Sequence, residues 1–230
     1  MTNAPLRMIS SMATRELLAA LAARYTDEAG QAVNAEAGGG VDVALRVEQG
    51  EAFDVVVLAS NAIDKLIAGG KVLPGRVDVV ESGIAIAARK GARRVPVGSE
   101  EDVRRAVQSA ATLSFSTGPS GVYLEQLFQR WGILEEVRPR IVVPPPGTPV
   151  GSLVADGRAE LGFQQLSELM NLPGIEVLGP LPPAIQTLTV FSGGVCAASA
   201  QPVAARALLQ FLASPATAEL KRAHGMAPPR

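Results

Sequence analysis

Small hydroxyl side chains and glycines recur where apolar runs of this chain give way to helical periodicity. Ser10 and Ser11 follow the run at 6–9, Gly38-Gly39-Gly40 the alternating stretch at 33–37, and Ser60 the run at 53–59. Ser116-Thr117-Gly118-Pro119-Ser120-Gly121 follows the run at 113–115, and Pro149-Val150-Gly151 opens another helical stretch. The first turns of a helix carry unpaired backbone N–H groups and a partial positive charge. Glycine lets an anion reach that backbone, and Ser or Thr adds a donor without bulk, so such a turn holds an anion with no Lys or Arg. Each turn alone also reads as an ordinary helix cap or a plain bend. Their recurrence at successive strand ends is what points to a ligand.

The segment at 116–121 is the richest, with three hydroxyls and two glycines in six residues. It is no P-loop, because no Gly-Lys-Ser/Thr follows, and no nucleophile elbow, because the spacing is wrong and the single histidine lies far away at His224. A second polar cluster, Gln164, Gln165 and Glu168, closes the apolar run at 160–164. Glutamine amides both donate and accept, and Glu168 is the one carboxylate in this cluster that could act as a general base. Arg15 and Arg46 are within helical stretches, either reaching a carboxylate or lying on the surface.

Composition removes several classes of function. One Cys and one His leave no disulfide and too few soft ligands for a transition-metal centre, so no metal is expected. Aromatics are 4% and the net charge is −1 with dispersed Lys and Arg, which argues against a nucleic-acid partner. No apolar run is long enough to span a bilayer, so no direct membrane insertion is expected. Cys196 reads as a buried structural thiol, His224 as the cap of a helix C-terminus, Phe128 and Trp131 as core, and residues 144–147 as a stiff proline loop. The opening residues lack a charged start followed by an apolar stretch and a small-residue cleavage site. The sequence as given thus reads as cytoplasmic, or as periplasmic if a signal peptide has been removed.

The elements that position these residues alternate. Strands are expected at 6–9, 33–37 and 53–59, and helices at 12–25, 41–49 and 62–67. The run FDVVVLA has the near-continuous apolar character of a strand covered on both faces. Residues 77–88 form a long extended stretch, after which the pattern restarts: helix 100–110 behind Ser99, strand 113–116, helix 122–131, strand 140–143, helix 150–155, then strands 160–164 and 175–178. Residues 187–198 are again long, extended and apolar, and two helices, 202–212 and 216–224, close the chain around Ser214-Pro215. Strand–helix alternation implies right-handed crossovers and a parallel sheet. Two extended crossings flanking an inserted unit imply two lobes, residues 1–83 with 190–230 and residues 84–189, with a ligand cleft between.

The stretches LRMISSMATRELLAALAARYTDEAG, EQGEAFDVVVLASNAIDKLIAGGKV and ARALLQFLASPATAELKRAHGM resemble, in order, the opening, the third strand with its helix, and the closing helices of molybdate-type solute-binding proteins. The resemblance spans nearly the whole chain. It implies the type II periplasmic-binding-protein fold (α/β, two lobes, each a mostly parallel sheet flanked by helices), hinge closure on a ligand, and no catalytic cofactor. It also implies that an oxyanion or carboxylate is held by Ser10, Ser11, Gly39, Gly40, Ser116, Thr117, Gly118, Ser120, Gly121 and Val150; the strand-end Ser60 and the polar Gln164 and Gln165 complete the candidate ligand-binding set. Where molybdate binders place a tyrosine, this chain has Phe163, Gln164 and Gln165, which suit a larger ligand bearing carboxylates or hydroxyls. The same broad family is similar to aconitate isomerase. Three functions therefore stand open: a solute-binding protein with an ABC permease as partner if exported, an isomerase of an unsaturated di- or tricarboxylate with Glu168 as base, or a cytoplasmic metabolite-sensing module.

Overall fold

The computed structural model describes residues 4–145 and 147–229. The elements, in chain order, are β1 (Leu6–Ser11), α1 (Arg15–Ala29), β2 (Val33–Gly38), α2 (Gly40–Glu48), β3 (Val55–Ala59), α3 (Ser60–Ala68) and β4 (Val77–Arg89). Then follow α4 (Glu100–Ser109), β5 (Leu113–Phe115), α5 (Pro119–Arg130), α6 (Leu134–Val137), α7 (Val150–Ala155), β6 (Leu161–Gln165), α8 (Leu166–Leu169) and β7 (Ile175–Pro180). The chain closes with β8 (Leu188–Val195), α9 (Pro202–Ala213) and α10 (Ala218–Ala223). It divides into two compact units: Met1–Ser82 with Thr189–Arg230, and Gly83–Leu188. β4 contributes its first half to one unit and its second half to the other.

In the first unit the strand order is β2-β1-β3-β8-β4. β1 pairs in parallel with β2 and β3, while β8 runs antiparallel to β3. Period-2 alternation sends Leu6, Met8, Val55 and Val57 to one face, where they pack with Leu17 and Leu21 of α1 and Leu208 and Leu209 of α9. Ile9, Val56 and Leu58 go to the other face, against Val43 and Val47 of α2 and Ile63 and Leu66 of α3. A strand buried on both faces needs an unbroken apolar run, and Val55–Ala59 supplies one. At Gly193 the fit is close: a Cβ there would stand 2.3 Å from Leu209 Cδ2. The glycine lets α9 lie against the sheet.

In the second unit β5 pairs in parallel with β6, and β4 pairs antiparallel with β6 and β7. Ile84, Ile86, Phe115 and Phe163 face α4 and α5 through Val103, Val107, Leu124 and Phe128. Phe128 meets Phe115 and Phe163 edge-on, at centroid distances of 6.0 and 6.4 Å, and stacks on Trp131. A few aromatics thus join the two layers of an otherwise aliphatic core.

Three expected elements differ. The helix expected from residue 12 begins as a 3₁₀ turn, Met12–Thr14, and α1 proper starts at Arg15. The strand expected at 140–143 is absent: Arg138–Arg140 form a 3₁₀ turn and only Ile141 bridges to Leu113. Pro139 and the prolines that follow remove the ladder donors a longer strand needs. Helix α5 starts at Pro119 rather than at 122, with proline at its first position and Ser120 and Gly121 inside its first turn. Pro146, part of the expected proline loop, lies outside the described residues.

Candidate functional site

In the first unit the C-terminal ends of β2, β1 and β3 lie side by side. Ser10 pairs with Ala37 on one side and Val57 on the other, and Ser11 pairs with Gly38. Parallel pairing therefore brings the Ser10-Ser11 turn, the 38–40 glycines and the start of α3 at Ser60 to one edge. Gly40 and the N-cap Gly39 open α2, and a Cβ at Gly40 would meet nothing within 4 Å, so its backbone is open to approach.

Ser10 and Ser11 are buried, and neither caps a helix. Ser11 precedes the 3₁₀ turn without a side-chain capping bond, and Ser10 Oγ donates to the Ser11 carbonyl at 3.3 Å. Thr14 Oγ1 donates to the same carbonyl at 3.1 Å. Ser11 is 8% exposed, and its Oγ has no hydrogen-bond partner among the described residues. A buried hydroxyl without a partner costs about 1–3 kcal/mol, so it needs a compensating role.

Ser60 is the first residue of α3, and its hydroxyl is committed. It donates to the Val190 carbonyl at 2.9 Å and lies 2.8 Å from Ser192 Oγ, which in turn donates to Asp78 Oδ1 at 2.6 Å. Ser192 and Asp78 escaped the sequence reading because both sit in the extended crossing stretches, β8 and β4, far from Ser60 in sequence. Nothing in the local sequence pattern marks them.

The second unit has a matching edge at the C-terminal ends of β5 and β6. Phe115 pairs with Phe163, so Ser116 and Thr117 follow beside Gln164 and Gln165. Ser116 Oγ accepts the Gly118 N–H at 3.4 Å, and Ser120 is buried. Gly121 has a structural role: a Cβ there would stand 1.6 Å from the Ser116 carbonyl oxygen. That contact folds the Ser116–Gly118 loop onto the first turn of α5. Gln164 is 4% exposed and bridges two groups. Its Oε1 accepts the Val150 N–H at 3.1 Å, and its Nε2 donates to Glu168 Oε1 at 2.7 Å. The N–H expected at Val150 for a ligand is thus held by Gln164 in this structure.

Other sequence candidates sit elsewhere. Arg46 pairs with Glu36 and Glu51 and lies over the Phe53 ring, and Arg15 pairs with Glu16. Ser99 is a true cap, accepting the Asp102 N–H at 3.1 Å. Cys196 is buried, and desolvation, helped by Asp54, pushes its thiol up to about 12, leaving it unreactive. His224 caps α10, with Nδ1 2.8 Å from the Leu220 carbonyl. Two surface grooves of about 450 and 460 Å³ lie on the second unit, one near Gln129 and Leu134, the other near Val97 and Leu181; neither holds a candidate residue. Among the described residues no group of three or more His, Cys, Asp or Glu could hold a metal ion, and no helix is long and apolar enough to cross a membrane.

Two α/β units joined by two chain crossings, each with a polar edge at its parallel strand ends, define a periplasmic-binding-protein-type fold. The profile of the bacterial extracellular solute-binding protein family matches residues 6–227, and the chain belongs to that family. It is 40% identical over 187 residues to an aconitate isomerase from Pseudomonas sp., covering 80% of this chain and 70% of that protein. The periplasmic molybdate-binding protein of Azotobacter vinelandii shares the fold at a TM-score of 0.82 and 20% identity, over 98% of this chain and all (100%) of that one. A tungstate ABC transporter structure from Geobacter sulfurreducens does so at 0.72 and 17%, over 94% and 97%.

Proposed function

We propose that this solute-binding protein takes a small organic polycarboxylate. The observation that carries the reading is Ser11 Oγ, buried and unpartnered at an edge whose neighbours are glycine backbone. A ligand carboxylate accepting that proton would satisfy the hydroxyl, and charged acceptors make the stronger hydrogen bonds. Identity points the same way, at 40% to the aconitate isomerase against 20% to the molybdate binder.

A thermal-shift series with citrate, cis-aconitate, trans-aconitate, molybdate, tungstate and sulfate tests this. A ligand at 100 times its Kd adds about 2.7 kcal/mol of stability. The expected result is a shift with one or more tricarboxylates that exceeds any shift with the inorganic anions. A shift with molybdate or tungstate alone overturns the reading. If the protein is exported, the bound form would be the one presented to a membrane permease.

The 40% identity favours a second reading, isomerisation of an unsaturated tricarboxylate. Such a step takes a proton from the carbon beside the alkene, shifts the double bond, and returns a proton at the far carbon. Glu168 would be the base. Following the alkene proton signals of cis- and trans-aconitate with the protein present decides it, and no interconversion at high protein concentration leaves binding alone.

A further inference from the structure

Cations are dispersed along most of this chain, but four fall within six residues at the end of β4: Arg89, Lys90, Arg93 and Arg94. The turn that carries them is tight. Ala92 N–H donates to the Arg89 carbonyl at 3.0 Å, and Gly91 takes a φ of 80°, which favours glycine. Lys90 N–H donates to the Gly174 carbonyl at 2.9 Å, so the turn is tied to the residue before β7. Arg89 Nη1 lies 3.4 Å from where a Cβ on Gly157 would stand, which brings Arg158 to the same surface. Arg94 pairs with Glu176. Among the described residues Arg89, Lys90, Arg93 and Arg158 make no ion pair, and all four are exposed. The carboxylates of the bordering segments are Asp156 and Glu176, two against five cations. In a chain of net charge −1 this is a local positive excess.

The groove of about 460 Å³ begins at the last of these cations. Its wall continues from Arg94 through Val97, Leu178 and Leu181 and includes four prolines, Pro96, Pro180, Pro182 and Pro183. Val97 Cγ2 stands 3.5 Å from where a Cβ on Gly179 would be, so residues 95–98 lie along the end of β7. Turn and groove both belong to the second unit. Prolines donate no backbone hydrogen bond, so the groove takes side chains rather than an added strand. No aromatic residue lines it, which leaves nucleic-acid bases nothing to stack on. No large exposed apolar side chain lies in residues 89–98 to enter a lipid surface, and a groove does not fit a flat one.

We infer that the turn at 89–94 and the groove beside it form a docking surface for an acidic segment of a partner protein, with Asp or Glu residues flanking an aliphatic anchor. The carboxylates meet Arg89, Lys90, Arg93 and Arg158, and the anchor enters between Val97, Leu178 and Leu181. Complementary charge steers the encounter and the apolar anchor holds it. This surface is independent of the ligand that the strand-end serines take.

The probe is a fluorescein-labelled peptide, Asp-Glu-Asp-Leu-Pro-Leu-Glu-Asp, followed by fluorescence anisotropy at about 50 mM salt, where screening is weak. Wild-type protein should bind it, and binding should weaken as salt rises. The double variant Arg89→Glu with Arg93→Glu should bind about tenfold more weakly, since two attractive contacts become repulsive. Both side chains are exposed, so its melting temperature should match wild type and show that it is folded. A peptide with Ser for Leu should bind at least about threefold more weakly, and one with Asn and Gln for Asp and Glu should lose binding. No binding of the probe below about 1 mM overturns the inference. So does equal binding to the folded double variant, or equal binding of either altered peptide. Phosphatidylserine vesicles or single-stranded DNA bound more tightly than the probe, and released by the same double variant, also overturn it in favour of another polyanion.

Discussion

The two polar edges are built alike and finished differently. In the first unit three parallel strands end together, and the edge leaves Ser11 Oγ buried with no partner. In the second unit two parallel strands end together, and Val150, Gln164 and Glu168 are tied to one another. An open donor lowers the stability of the free protein and returns that energy when a ligand accepts its proton. A closed network costs nothing while empty and cannot reorganise cheaply, so it fixes what it will accept.

The comparison breaks most directly at Gly121. In Gly121→Val the side chain would overlap the Ser116 carbonyl, which is backbone and cannot swing away. The variant should lose about 3 kcal/mol or more and show a large drop in denaturation midpoint. A loss under 1 kcal/mol would mean that the second edge is less rigid than the contact implies.

The next effect belongs to the first unit. Lys221 on α10 is fully buried, its Nζ has no partner among the described residues, and burial pulls its ammonium down to about 8 from the usual 10.5. Below pH 8 both folded and unfolded chains hold the proton, and the fold bears the cost of a buried charge. Between about pH 8 and 10.5 only the unfolded chain still binds it, so this group's contribution to stability rises with pH, by up to about 3 kcal/mol. Lys221→Met should be more stable than wild type at pH 7, with the gap closing by pH 10.5 in urea titrations. A constant gap would show that the amine finds a partner in solution.

Two serines then sharpen the contrast between donor and cap. Ser11→Ala should weaken ligand affinity about tenfold or more, as expected for a hydrogen bond to a charged group, and leave the unliganded melting temperature unchanged or raised. Lost stability with unchanged affinity would make Ser11 structural. Ser99→Ala is the smallest change and the opposite case. Ser99 caps α4, so the variant should lose about 1 kcal/mol of stability and bind ligand as before.

The first strand–helix repeats were legible because their periodicity is local: β1 and β3 show apolar residues closed by small ones, and β2 alternates before its glycines. Short pieces were harder. α6 and α8 have four residues each, too few to show a helical period, and the expected strand at 140–143 makes a single bridge, Ile141 to Leu113, with Val142 N–H on the Leu113 carbonyl. At the site, the Ser10-Ser11 turn and the 116–121 loop could be named from residue type, but whether a serine caps a helix or faces a ligand depends on neighbours many residues away.

The sequence by itself determined which faces are apolar, the order of the strand–helix repeats, and that small donors gather at strand ends, because these follow from spacing along one segment. Only the tertiary structure decided which hydroxyls were left open. Ser11 Oγ has no partner among the described residues. Ser60 is closed because β8 brings Val190 and Ser192 to it, with Asp78 behind them, from 130 and 132 residues away. A hydroxyl has one proton, and which group takes it is settled by the chains that pack around it.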